Sequence, residues 1–224
     1  WSTSSGHVVL RSDTGFVFSR AGKYRHRPGQ ADVLHVDLWW RGQNIAIDTG
    51  TFSYNGKGPW DYPFSRTAFH NTVTVDGLDQ TRRVGRFVWL PWLKGTTLGP
   101  FTGARNSLAY WQGEHDGYQR LGSKVRYRRA ILRLPQDHWL VLDQLESPSP
   151  HDYRLHWLLA DHPFTSPKGG ETLTLNTPAG SYHVTTGVVA ADAARSLIRG
   201  DEASPRGWRA SGYQKKTQAG SLAV

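Results

Sequence analysis

An antiparallel all-β sandwich of several stacked sheets is the fold this sequence predicts, on three observations. Short runs rich in Val, Ile, Leu, Thr, Trp and Tyr recur along the 224 residues, each bounded by Gly, Pro, Asn or Asp. Within runs such as Val33–Trp40 and Asn71–Asp76, side chains are sorted by a period of two, the mark of a strand with two different faces. Few segments hold a helical period over three turns, and Ala190–Leu197 is the best short helix competitor.

In chain order, His7–Arg11 and Phe16–Ser19 form a predicted hairpin around Ser12-Asp13-Thr14-Gly15. Val33–Trp40 and Asn44–Asp48 follow, joined tightly by Arg41-Gly42-Gln43. Residues 55–64 carry Gly56, Gly58, Pro59 and Pro63 beside Trp60 and Tyr62 and are expected to be a loop. Asn71–Asp76 is a strand that runs into Asp76-Gly77, a strong turn signal. Further strands are expected at Arg86–Trp92, Ser107–Gln112, Lys124–Leu134, Trp139–Leu145, Tyr153–Ala160, Thr172–Asn176, Tyr182–Val189 and Arg195–Ile198. Ser147-Pro148-Ser149-Pro150 is a turn, since both flanks are strand-like, and Ser221–Val224 begins another strand.

A hydrophobic fraction of 38% in a chain of this length supports one large β domain. Ten Trp, nine Tyr and eight Phe give rings enough for both a core and a sugar-stacking surface. Lys plus Arg is 27 against 18 Asp plus Glu, a net charge of +9, which favours anionic partners. The cations are spread out, with clusters at Arg82, Arg83, Arg86 and at Lys124, Arg126, Arg128, Arg129, both expected on solvated strand faces. No basic run or nucleic-acid-binding signature appears, so nucleic acid is not an expected partner. The chain has no Cys, hence no disulfide or thiolate metal site. It also has no Met, so it is expected to begin inside a longer gene product. No apolar run approaches the ~18 residues that span a bilayer, and no membrane partner is expected.

The candidate chemistry lies in two polar segments. His70 and Asn71 stand at the mouth of an alternating strand, where imidazole and amide suit proton transfer, ligand hydrogen bonding or metal binding. Gln30, Asp32, His35, Asp37 and Asp48 form a second cluster. On the strand read as Val33–Trp40, His35 and Asp37 share one face with Val33 and Trp39. His35 is then either part of a metal or substrate site or a hydrogen-bonded structural histidine. Asp48 is either a turn-forming residue or a carboxylate ligand for zinc.

Three segments together, 30–42 (QADVLHVDLWWRG), 47–55 (IDTGTFSYN) and Arg66 followed by His70-Asn71-Thr72-Val73-Thr74-Val75-Asp76-Gly77, resemble the β-domain of heparinase II/III-like polysaccharide lyases. Weaker similarity continues through residues 113–118 and 206–208. The resemblance implies an N-terminal α/α toroid ahead of this domain in full-length relatives, periplasmic or secreted localisation, and β-elimination on a uronate-containing acidic polysaccharide such as a glycosaminoglycan. It implies a metal held by two histidines and an aspartate, which places Gln30, Asp48 and His70 at the ligand positions and zinc as the cofactor. Gln30 departs from that pattern, because an amide oxygen is a poor substitute for imidazole on zinc. His35 is the alternative third ligand, although odd spacing along a strand would set it opposite Gln30. A second departure is Pro28, which occupies the position of the family's catalytic histidine; His26 is nearby but needs a different loop path. The family's catalytic tyrosine belongs to the toroid.

On this footing His70, Asn71 and His35 are the expected catalytic residues of the β-domain wall. Arg66, Tyr54 and His115 are the expected substrate contacts. Arg66 would neutralise a uronate carboxylate, with a surface cation as its bland alternative. His115, between Glu114 and Asp116, is expected to have a raised pKa and a place on a loop. The isolated chain is expected to lack lyase activity. A non-catalytic carbohydrate-binding module and a structural domain remain the competing classes.

Overall fold

The computed structural model describes residues 5–24, 27–103, 108–122, 124–167, 171–189 and 193–224. It is built from antiparallel sheets in stacked layers, as the alternation predicted.

The largest sheet begins with β1 (His7–Arg11), β2 (Gly15–Arg20), β3 (Val36–Trp40) and β4 (Gln43–Ala46) as a meander. Arg41 and Gly42 close the β3–β4 hairpin with φ of 48° and 75°, the primed turn that matches strand twist. β12 (Tyr153–Leu159) continues the sheet, followed by β19 (Gly220–Ala223) and β16 (Ser196–Arg199). β5 (Val73–Val75) pairs the first half of β12 through Val73↔Leu155 and Val75↔Tyr153, whereas β4 pairs its end through Ala46↔Leu159. β12 therefore changes partner midway along its length, and His70-Asn71-Thr72 sits at that seam.

The second layer is a four-stranded sheet, β8 (Gly95–Thr102), β9 (Ala109–His115), β10 (Arg126–Arg133) and β11 (Trp139–Glu146). Every second residue of β9 and β10 is buried, so one face turns inward. Trp111, Tyr127 and Ile131 on that face form one core with Val8, Leu10, Val17 and Leu38 of the large sheet. A third sheet, β13 (Phe164–Thr165), β14 (Thr172–Thr177) and β15 (Gly180–Thr185), adds Leu173 and Leu175 to the core and sets Tyr182 against Trp40 at 5.3 Å between ring centroids. Two hairpins, β6 (Arg82–Gly85) with β7 (Val88–Leu90) and β17 (Trp208–Gly212) with β18 (Lys215–Gln218), complete the described strands.

Several local expectations are corrected. Val33–Trp40 is not one strand: Leu34 takes φ 65° and the His35 N–H donates to the Asp32 carbonyl at 3.0 Å, so a turn precedes β3. Arg86–Trp92 shortens to β7, Val88–Leu90, the far arm of a hairpin whose near arm, β6, carries Arg82 and Arg83, with Arg86 in the turn between them. β8 went unrecognised because Gly95, Gly99 and Pro100 break its alternation, and its register shifts between Leu98 and Phe101. The strand expected at Arg195–Ile198 is present as β16, which excludes the helix alternative for Ser196 and Leu197, while 190–192 lie outside the described residues. Residues 55–64 are a loop as expected, with short 3-10 turns at Gly58–Trp60 and from Pro63. Ser221–Val224 does pair as a strand, with β12 on one side and β16 on the other.

Candidate functional site

The site forms where three loop ends meet at the seam. His35 is delivered by the left-handed turn at Leu34, Asp48 by the chain leaving β4, and His70 by the short 3-10 turn Thr67–Phe69 that precedes β5. Donor atoms of these three side chains lie within 4.8 Å of one another. The Nδ1 of His70 stands 3.0 Å from Asp48 Oδ2, and the Nε2 of His35 stands 3.7 Å from the same oxygen. Asp48 Oδ1 accepts the Gly50 N–H at 2.6 Å. His35 and His70 are buried, whereas the Asp48 side chain keeps 36% exposure, so the carboxylate is the accessible part.

Burial disfavours a charged His70, but the adjoining Asp48 carboxylate outweighs it and raises the pKa. For Asp48 burial also opposes charge, yet His70, His35 and the Gly50 N–H together hold its pKa well below the usual carboxylate range. For His35 burial outweighs the attraction of the more distant Asp48 carboxylate, and its pKa falls to about 4. Arg20 pairs with buried Asp32 nearby. A second cation lies underneath: Arg129 is fully buried, grips Asp143 with Nε and Nη2 at 2.7 and 2.8 Å, and donates Nη1 to the carbonyls of Leu34 and Asn71.

Asn71 does not face a cleft. Its Nδ2 donates to the carbonyls of Val36 (2.7 Å) and Ile47 (3.1 Å), its Oδ1 accepts the Leu158 N–H, and its backbone N–H donates to His35 Nδ1 at 3.0 Å. It ties β3, the end of β4 and β12 together, so its expected catalytic role gives way to a structural one. His115 is corrected too. It is 3% exposed beneath Tyr118 and Tyr127, and burial, helped by Arg129, depresses its pKa to about 3 rather than raising it. Glu114 and Asp116 point elsewhere, Glu114 to Arg128 and Asp116 to the Lys94 N–H.

Gln30 is near the cluster, its amide nitrogen 3.4 Å from the Gly50 carbonyl. Arg66 is exposed and interacts electrostatically with Asp79. Tyr54 is 37% exposed in a ring cluster with Tyr62, Phe87 and Tyr213. His26 lies outside the described residues. The basic stretch from Lys124 is only partly solvated, since Arg126 is exposed, Arg128 is paired and Arg129 is buried. Arg129 is a site element that only its alternation with Tyr127 and Ile131 on an inward face could reveal in the sequence. Sequence reasoning misses Gln80: buried 47 residues from Val33, it accepts that residue's N–H and donates to its carbonyl.

The spacing of the His35, Asp48 and His70 donors is that of ligands around one cation. Their protonation is not. A metal on His35 Nε2 requires the ring proton on Nδ1, and Nδ1 here accepts the Asn71 N–H. The donor set therefore does not fit a three-ligand metal centre.

Residues 2–224 match the family model described as heparinase II/III-like, C-terminal, and the chain belongs to that family. A heparin-sulfate lyase of Bacteroides stercoris is 24% identical over 165 residues, covering 68% of this chain and 22% of that protein. Among solved structures, a heparan sulfate lyase HepC from Pedobacter heparinus superposes with TM-score 0.76 at 17% identity, and a heparinase III with 0.76 at 16%. Each match takes in 99% of this chain and about a third of the longer one, 32% and 33%. These similarities establish the fold, and the chain spans a minor part of each relative.

Proposed function

We propose that this domain forms the β wall of a polysaccharide-lyase cleft acting by β-elimination on a uronate-containing acidic polysaccharide. The observation that carries this is the family match over the whole fold, combined with a partly exposed Asp48 carboxylate backed by two buried imidazoles. In β-elimination a base removes the C5 proton, the C4–O bond breaks as the C4=C5 double bond forms, and an acid protonates the departing oxygen. Neutralising the uronate carboxylate makes the C5 proton easier to remove. Arg66, exposed and basic, is suited to that neutralisation.

The chain by itself lacks the means to complete the reaction. Pro28 has no proton to exchange, and the imidazoles of His35 and His70 are closed off from solvent. Binding without turnover is therefore the reading for the isolated domain, with the missing acid and base supplied by a toroid domain. Incubation with heparan sulfate, hyaluronan and alginate, followed by ultraviolet absorbance of the unsaturated product, tests this. No product from the domain alone is expected, and robust turnover would overturn the division of labour. Product from a longer protein carrying the upstream toroid would support the lyase assignment.

A further inference from the structure

We propose that the His35–Asp48–His70 cluster is a metal-free lock in which His70 is hydrogen-bonded to Asp48 and His35 is held, by the Asn71 N–H, in the tautomer that turns its Nε2 proton to the Asp48 side. Proton positions carry the argument. The Asn71 amide can only donate, so His35 Nδ1 at 3.0 Å must hold a lone pair. The neutral ring then carries its proton on Nε2, and that proton faces Asp48 Oδ2. For Nε2 to bind a metal instead, His35 would need either two N–H groups pointing at each other or an imidazolate accepting at both nitrogens. Turning the ring over does not help, because it would leave the buried Asn71 N–H against a carbon.

Two independent features agree. Arg129, with no exposed surface, places its guanidinium on the carbonyls of Leu34 and Asn71, the residues next to His35 and His70 in sequence. Its charge is only partly matched by the bidentate Asp143, and what remains disfavours a further cation in the same pocket. Gln30 also offers amide rather than imidazole chemistry and leans toward the Gly50 carbonyl. In the lock, Asp48 receives the Gly50 N–H on one oxygen and the His70 Nδ1–H on the other, while His35 Nε2, 3.7 Å away, and His70 Nε2 are both buried without a hydrogen-bond partner.

This inference stands apart from the lyase assignment, since it concerns only what holds the three side chains together. The test uses protein purified without chelator and dialysed against zinc. Metal content is measured by mass spectrometry, Tm with and without chelator, and the histidine tautomers by two-bond proton–nitrogen correlation on nitrogen-labelled protein. Sub-stoichiometric metal, a Tm indifferent to chelator and zinc, and His35 with a bare Nδ1 and a protonated Nε2 are expected. A full equivalent of bound metal, or a chelator-sensitive Tm with His35 bare at Nε2, would overturn the lock. All three measurements use the parent protein, so none depends on a variant that must fold.

Discussion

Several histidines of this protein are held neutral by burial, and their thermodynamic weight is opposite to that of His70. His115 and His156 both have pKa values depressed to about 3, with burial the leading cause. In the unfolded chain each binds a proton near pH 6.5, while in the folded chain it does so only near 3. Below about pH 6.5 the unfolded state therefore holds the extra protons, and folding stability falls as pH drops. Each group contributes a slope of about 1.4 kcal/mol per pH unit in that window. His70 has the reverse sign: its raised pKa stabilises the fold below its unfolded value, and this is lost as pH rises through the folded value. Urea titrations between pH 7 and pH 4 should show a midpoint falling steeply on acidification. Replacing His156 by Gln should flatten that fall by about one group's slope. An unchanged slope would show that His156 is not held neutral.

At the scale of elements, the seam along β12 is the distinctive feature. A strand that exchanges one neighbour for another leaves backbone groups without a ladder partner, and buried groups of that kind are costly. Asn71 supplies the missing partners, satisfying the Leu158 N–H and the carbonyls of Val36 and Ile47 with one side chain. Asn71→Ala should cost about 3 kcal/mol or more, since each buried group left unpaired costs ~1–3 kcal/mol. Chemical denaturation would show the loss as a lower midpoint with little change in slope. A near-neutral Asn71→Ala would mean that water replaces the amide and that the seam is open to solvent. The β3–β4 and Asp76-Gly77 turns are simpler. Asp76 and Gly77 both have positive φ, 53° and 67°, which is why Asp-Gly served as a reliable turn signal.

Over the whole molecule, a net charge of +9 surrounds a site whose accessible member is a carboxylate. Long-range attraction for an anionic chain must then come from dispersed cations such as Arg27, Arg66 and Arg126, all exposed. Dispersed charges are screened readily, as the Debye length is already about 8 Å at physiological ionic strength. Binding of heparan sulfate should therefore be weak and should decline markedly from low to physiological salt. A neutral glucan should bind less and respond little to salt. Isothermal titration at two salt concentrations separates the cases, and equal, salt-independent affinity for both glycans would refute charge-driven capture.

The amino-acid sequence by itself determined the layered antiparallel class, most strand positions and the family, because alternation and turn chemistry are local properties. The resemblance placed Asp48 and His70 at one site with Gln30, and kept His35 only as an alternative third member. Tertiary structure decided what those residues are to one another. A single left-handed residue, Leu34, breaks the parity that would have set His35 apart and brings it beside Asp48. Asn71 looked like site chemistry because its amide sits next to an imidazole, but its role is set by where β12 changes neighbours, which no local pattern encodes. His115 looked solvated because its sequence neighbours are charged, yet strand alternation turns it into the core while Glu114 and Asp116 face away. Burial and hydrogen-bond direction depend on chain segments tens of residues apart, and they fix the protonation of this cluster.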